Sequence, residues 1–289
     1  MPPSYAPDGA SEPGSLAVRG GIGAGMATEA RLPTFLIIGA QKSATRWLRS
    51  NLGEHPDVYT AATELAFFND IKRFTELGPA GYAALFGTAD GKTFIGEATP
   101  GYMIWRHRPA VVAERIEQVL PDVVLIAILR NPVDRAQSAL VHHIHGGQLP
   151  AGTRLVDVVR SVPPDRDRLG LISGGWYAES LEPYRDRFGS RVLVLLNDDA
   201  ISDPARVYSD ALRHIGARVD AVPSHLGEKR FSREAKGQAE VAPALRPEDR
   251  SEIWEYFRSD VERLEEMFGL DLGRWRPGGA TGPAPGSTA

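Results

Sequence analysis

The stretch that decides the fold is Phe35-Leu-Ile-Ile38-Gly39-Ala40-Gln41-Lys42-Ser43-Ala44-Thr45-Arg46-Trp47-Leu48. Four large apolar residues, Phe35 to Ile38, stand between Pro33 and Gly39. A run that is apolar on both faces suits a strand buried between two helix layers. A glycine-led turn follows and runs straight into a helical pattern that ends at Gly53. In such a strand–turn–helix unit, backbone N–H groups and the helix N-terminus point at a bound anion. Lys42 adds a point charge, and Ser43 and Thr45 add hydroxyl donors. The chain has only five lysines, Lys42, Lys72, Lys92, Lys229 and Lys236, and arginine supplies its other basic residues. A lysine in this turn is therefore not generic surface charge. The loop is not a Walker A motif, which places a second glycine directly before its lysine. Here Lys42 follows Gln41.

Working outward, the same alternation continues. Val123–Leu129 and Val192–Leu196 are further apolar runs, and Thr93–Ile95 and Asp57–Tyr59 are shorter strand candidates. Helical patterns lie between them. Pro109–Leu120 carries Val112, Ile116 and Val119 at helical spacing. Asp203-Pro204 opens a helix that Gly216 stops. Pro247–Phe268 places Ile253, Phe257, Val261, Leu264 and Phe268 on one stripe and predicts a single helix ended by Gly269. Strands alternating with helices predict an α/β fold of three layers, with a central, mostly parallel sheet flanked by helices. Ligands of such sheets bind at the carboxyl ends of the strands, so chemistry is expected just after Ile38 and Leu129. The second of these segments reads Arg130-Asn131-Pro132-Val133-Asp134-Arg135-Ala136-Gln137-Ser138. Pro132 suits a first helical turn. Arg130 at the strand end and Ser138 two turns on could converge on a second phosphate, the arginine with its planar fork of donors. Asp134 and Arg135 are expected in helix-start salt bridges.

The 289 residues are 42% hydrophobic and 24% charged, an ordinary globular composition. A chain of this length buries about three quarters of its unfolded surface and needs no staple. The absence of cysteine excludes disulfides, a thiolate nucleophile and thiolate metal centres. With 33 basic and 37 acidic residues the net charge is −4, which argues against a nucleic-acid partner. No apolar run reaches the roughly 18 residues of a membrane span, and residues 1–30 show no basic start followed by an apolar core. No membrane partner and a cytoplasmic location are expected. Residues 1–30 are rich in Gly, Pro, Ala and Ser and predict a disordered leader, with Met26 as an alternative start. Residues 277–289 predict a tail of the same kind, leaving 31–276 as a single domain.

Together the two loop segments resemble the sulfotransferases that use 3′-phosphoadenosine 5′-phosphosulfate (PAPS). The first resembles their 5′-phosphosulfate loop and the second their 3′-phosphate motif. Glu64-Leu65-Ala66-Phe67-Phe68-Asn69 is similar to the Glu-x-x-Phe-Phe element of the carbohydrate, heparan-sulfate-like branch. Glu97-Ala98-Thr99-Pro100-Gly101-Tyr102 is similar to its Glu-Lys-Thr-Pro-x-Tyr element. Arg233-Glu-Ala-Lys236-Gly237 resembles the loop that closes over the nucleotide. The resemblance spans about 34–275 and implies a P-loop-like nucleotide-binding topology. It implies PAPS as co-substrate, held by Gly39, Lys42, Ser43, Ala44, Thr45, Arg46, Arg130, Ser138, Lys236 and Gly237. Lys42 would neutralise the bridging oxygen as it leaves, and Glu64, desolvated by Leu65, Phe67 and Phe68, would be the catalytic base. No metal is required. Three positions depart from the branch: Ala66 stands where histidine is frequent, Ala98 replaces the lysine of Glu-Lys-Thr-Pro, and Gln238 replaces an arginine. The first two lie on the acceptor side. With the acidic net charge, they favour a glycoside or other small hydroxylated acceptor over a long sulfated polymer.

Glu97, Tyr102, His142, His145 and Trp176 are the candidate acceptor contacts. His142 and His145 share a helix face with Ser138, whereas His143 points elsewhere. Trp47 and Trp254 read as core residues, and Arg106-His107-Arg108 as a basic turn. Two other functions stay open at this point. A P-loop-type kinase would need a magnesium carboxylate at a strand end, but the long strand ends in Leu129-Arg130. A non-catalytic nucleotide-binding module predicts loss of Lys42 or Glu64, and both are present.

Overall fold

The computed structural model describes residues 31–163, 166–220, 222–223, 225–228 and 241–279. The leader predicted at 1–30, most of the tail predicted at 277–289, and the candidate nucleotide contacts Lys236 and Gly237 lie outside the described residues.

Among the described residues five strands pair in parallel, in the order β2 (Val58–Thr60), β3 (Phe94–Ala98), β1 (Phe35–Gly39), β4 (Val124–Leu129), β5 (Val192–Leu196). Each strand that sequence reading predicted is present, starting within one residue of its predicted start. β3 runs three residues beyond its predicted end at Ile95, to Ala98. Alternation of side chains across the pleat builds two cores. Leu36, Ile38, Leu125, Ala127 and Leu129 face α3 (Pro109–Val119), α4 (Pro132–His145) and α6 (Tyr177–Phe188), burying Val112, Ile116, Leu140 and Leu181. Phe35, Ile37, Ile126 and Ile128 face α1 (Thr45–Leu52) and α8 (Pro204–Ile215), burying Leu48, Leu52, Tyr208 and Leu212. Helices on both faces are what a sheet of continuous apolar strands requires. Further helices are α2 (Ile71–Ala84), kinked at Gly78-Pro79, α5 (Leu155–Ser161) and α7 (Asn197–Ser202).

The predicted helix over Pro247–Phe268 is in fact two, α9 (Pro247–Trp254) and α10 (Arg258–Phe268). Tight turns close at the joint: Tyr256 N–H donates to Ile253 O and Phe257 N–H to Trp254 O. Trp254 and Phe257, on either side of the break, are both buried. The Tyr256 carbonyl accepts from Trp176 Nε1 at 3.1 Å.

Because β1 is central, with β2 and β3 to one side and β4 and β5 to the other, the strand order reverses around it. The carboxyl end of β1 is therefore the topological switch point, where open α/β sheets bind ligands.

Candidate active site

Four segments leave the sheet at that edge: 40–44 after β1, 61–69 after β2, 99–107 after β3 and 130–131 after β4. Backbone bonds fix them to the strand ends. Ala40 N–H donates to Ile128 O at 2.8 Å, and Thr99 N–H to Ile37 O at 3.1 Å. The pairing of β1 with β4 shifts register between Ile37 and Gly39, where the chain begins to turn. A Cβ on Gly39 would overlap Met103 Sδ, so only glycine fits. In the turn Lys42 and Ala44 take left-handed backbone conformations, with φ of 69° and 74°, which L-residues with a Cβ adopt at a cost. α1 starts directly afterwards with no side-chain cap and no acidic residue in its first turn, so no carboxylate of its own competes for its N-terminal N–H groups.

Ser43 is wholly buried in this turn, and its Oγ has no hydrogen bond of good geometry. Beside it lies the Tyr177 hydroxyl, which donates to the Arg130 carbonyl at 2.9 Å. Tyr177 thus joins the two loops expected to hold the nucleotide. Arg130 and Ser138 are half-buried. Asn131 caps α4, accepting from Val133 N–H at 3.0 Å, while its Nδ2 donates to Trp275 O at 2.9 Å. Sequence reading missed Asn131 as the hub that ties the second loop to the C-terminal turn. Its one signal was an Asn ahead of Pro132, a cap residue ahead of a first-turn proline.

Glu64 is exposed, while Leu65, Phe67 and Phe68 turn inward and are buried. The expected desolvation of Glu64 by these three is not what the structure shows. Its electrostatic setting is instead cationic. Burial and the neighbouring Arg46 lower the pKa of Arg49, and Glu64 raises it. Glu64 therefore stands beside α1, the helix that the Lys42 turn opens.

Glu97 and Tyr102, expected as acceptor contacts, are fully buried and cannot touch an acceptor. The Glu97 carboxylate accepts from Thr99 Oγ1 at 2.6 Å, Tyr102 OH at 2.5 Å and Tyr82 OH at 3.1 Å. Burial still raises its pKa, against the lowering effect of these donors. The Phe67 and Tyr82 rings stack at 4.1 Å, which closes the cluster off from solvent.

Asp134 makes its expected helix-start salt bridge, to Arg250 at 2.5 Å. Arg135 does not: it is fully buried and its Nη2 donates to the carbonyls of Gly170 and Leu171. The helical period turns position 135 inward, where the 167–176 loop wraps it. A Cβ on Gly174 would meet Arg135 Nη1 at 2.6 Å. The Asp167 carboxylate gathers that loop, accepting from the N–H of Leu171, Ile172 and Ser173. Trp176, at the end of the loop, is half-buried. His142 and His145 are exposed, and His143 points away to Leu169 O at 2.8 Å, as expected from the helical spacing. Trp254 is a core residue, whereas Trp47 is half-buried and donates to Leu226 O at 3.0 Å. No helix among the described residues is long and apolar enough to cross a membrane.

A parallel sheet between two helix layers, with an uncapped strand–turn–helix at its switch point and a lysine in the turn, is a P-loop-like arrangement suited to a phosphorylated group. The human heparan sulfate glucosamine 3-O-sulfotransferase 6 is 30% identical over 84% of this chain and 74% of that protein. The mouse heparan sulfate glucosamine 3-O-sulfotransferase 3A1 is 27% identical over 90% of this chain and 73% of that protein. The crystal structure of a sulfotransferase from Alicyclobacillus acidocaldarius superposes with a TM-score of 0.70 at 27% identity, covering 85% of this chain and 99% of that one. No family model matches the chain. The chain belongs to the PAPS-dependent sulfotransferases, in their carbohydrate branch. It is an enzyme of sulfuryl transfer, and the kinase and non-catalytic readings are not favoured.

Proposed function

We propose that this sulfotransferase moves the sulfuryl group of PAPS to a hydroxyl, less readily an amine, of a glycoside or other small metabolite, with 31–276 as one catalytic domain. The observation that carries the reading is the Lys42 turn at the switch point, with Glu64 electrostatically coupled to the helix that this turn opens. The turn suits a phosphosulfate: Ser43 offers a buried hydroxyl without a good partner, and α1 offers uncapped N–H groups. Gly39, Lys42, Ser43, Ala44, Thr45 and Arg46 would hold the 5′ side, Arg130 and Ser138 the 3′-phosphate, and Lys236 and Gly237 would close over the nucleotide. The curated relatives are heparan sulfate enzymes by name. The net charge of −4 supports a smaller acceptor here. A cytoplasmic setting is part of the same reading.

In the reaction the acceptor oxygen forms a bond to sulfur as the bond from sulfur to the 5′-phosphate oxygen breaks. Glu64 takes the acceptor proton. Lys42 offsets the charge that builds on the departing oxygen, a preorganised electrostatic role. The test is transfer from radiolabelled PAPS to a panel of para-nitrophenyl glycosides: glucoside, glucosaminide, N-acetylglucosaminide and glucuronide. Glu64→Gln should keep affinity for the product 3′-phosphoadenosine 5′-phosphate (PAP) and lose turnover by roughly 10²–10⁴. Lys42→Ala should weaken PAP binding and slow turnover by on the order of 10²–10³. Wild-type turnover in Glu64→Gln would sink the base assignment. An inert panel would sink the acceptor class.

A further inference from the structure

The segment that carries Glu64 has no regular secondary structure of its own, yet a catalytic base must be held to a fraction of an ångström. Three of its backbone N–H groups face one buried polar cluster, and that of Ala66 is hydrogen-bonded to it. The Leu65 N–H is directed at the Glu97 carboxylate. The Ala66 N–H donates to Thr99 Oγ1 at 3.1 Å, and that hydroxyl donates in turn to Glu97 at 2.6 Å. The Phe68 N–H is directed at the Tyr102 hydroxyl, which also donates to Glu97. The cluster grips a backbone that would not hold itself, because Ala66 has φ of 51°, in a region alanine avoids.

We propose that Glu97 is a positioning residue: its buried carboxylate, acting through the Leu65 amide and the Thr99 and Tyr102 hydroxyls, sets the backbone on which Glu64 stands. The proposal rests on Glu64 being the base. Glu97 is spent wholly on accepting. All three hydroxyls donate to it. An ionised carboxylate accepts at both oxygens without competing for these protons. A glutamine of the same size brings an N–H₂ that donates where the cluster already donates. It should therefore turn the hydroxyls and release the 65–68 amides. This gives the buried carboxylate a use that acceptor contact does not.

A double-mutant cycle tests it, with turnover measured on the fastest para-nitrophenyl glycoside of the panel above and PAP binding measured by calorimetry. Glu97→Gln should lower kcat on the order of 10²-fold while the PAP Kd and the acceptor KM stay within about twofold of wild type. In the Glu64→Gln background the same change should cost no more than about twofold, since there is no base left to misplace. Thr99→Val removes only the Ala66 link. It should reproduce the pattern on the order of tenfold if Glu97→Gln proves too unstable to purify. Equal losses of kcat in both backgrounds, or a loss of PAP binding stoichiometry that tracks kcat, would overturn the proposal and leave Glu97 a general fold residue. Full activity in Glu64→Gln alone would instead mark the failure of the base assignment, and the positioning role would fall with it.

Discussion

Ser43 is buried to zero exposure, with the Tyr177 hydroxyl beside its Oγ but no hydrogen bond of good geometry. In the proposed reading the donor's phosphate supplies that partner. Ser43→Ala should leave the unliganded protein as stable as wild type, or raise its Tm, and weaken PAP binding by about 1 kcal/mol, roughly fivefold. Thermal melts with and without PAP check this. A lowered Tm with unchanged PAP affinity would show that the hydroxyl serves the fold. Arg135 carries the same lesson in reverse. Its place in a charged helix start suggested surface ion pairing, but helical phase turned it to the interior, where loop carbonyls take the place of a carboxylate.

Asp260 shows what two elements do to one side chain. It stands on α10 yet caps α6, accepting from Ala178 N–H and Glu179 N–H at 3.0 Å each. α6 begins at Tyr177, whose hydroxyl meets the Arg130 carbonyl, so this cap bears on the nucleotide side of the site. Burial raises the Asp260 pKa to about 6, outweighing the N–H donors that lower it. A carboxyl raised in the folded state binds its proton more tightly there than in the unfolded chain. Its contribution to stability is therefore full below the unfolded pKa of about 4 and is lost as pH rises through 6. Asp260→Asn removes this titration. The Tm of the variant relative to wild type should climb between about pH 4 and pH 6. A flat difference across that window would show that Asp260 does not titrate there. At this scale the sequence was readable wherever an element ends in its own residues, as at Asp203, Pro204 and Gly216. It was silent on the joint between α9 and α10, where the Tyr256 carbonyl accepts from Trp176, 80 residues away in sequence.

In the whole molecule, both cores meet at β1 and β4, whose alternate residues face opposite helix layers. The Lys42 turn leaves the end of β1. A ligand held there, as proposed, would brace strand, α1 and, through Tyr177, α6 at once. PAP at about 100 times its Kd should add about 2.7 kcal/mol of stability. For a chain of this size that is a rise in Tm of roughly 5–10 °C. Scanning calorimetry should show this as a shift of one main transition. Melting of the PAP complex in two separated transitions would contradict the coupling of the two cores through the central strands, and with it the single domain proposed for 31–276.

The strands, their parallel alternation with helices, and the turn that follows Ile38 were all legible from residue order. Each depends on local quantities: apolar runs, glycine and proline punctuation, and a lysine where few lysines occur. Residue types and spacing also singled out Lys42 and Arg130, whereas Glu64 and Glu97 came from the resemblance to the sulfotransferases. The face each side chain turns to was another matter. Glu64 lies outside and Glu97 lies sealed beneath it because β3 runs on to Ala98 and carries Glu97 under the 61–69 loop. Tyr177 reaches Arg130, and Asp260 reaches α6, only once distant segments pack. Burial and hydrogen-bond partners are set by contacts between residues far apart in the chain, and those exist only in the tertiary structure.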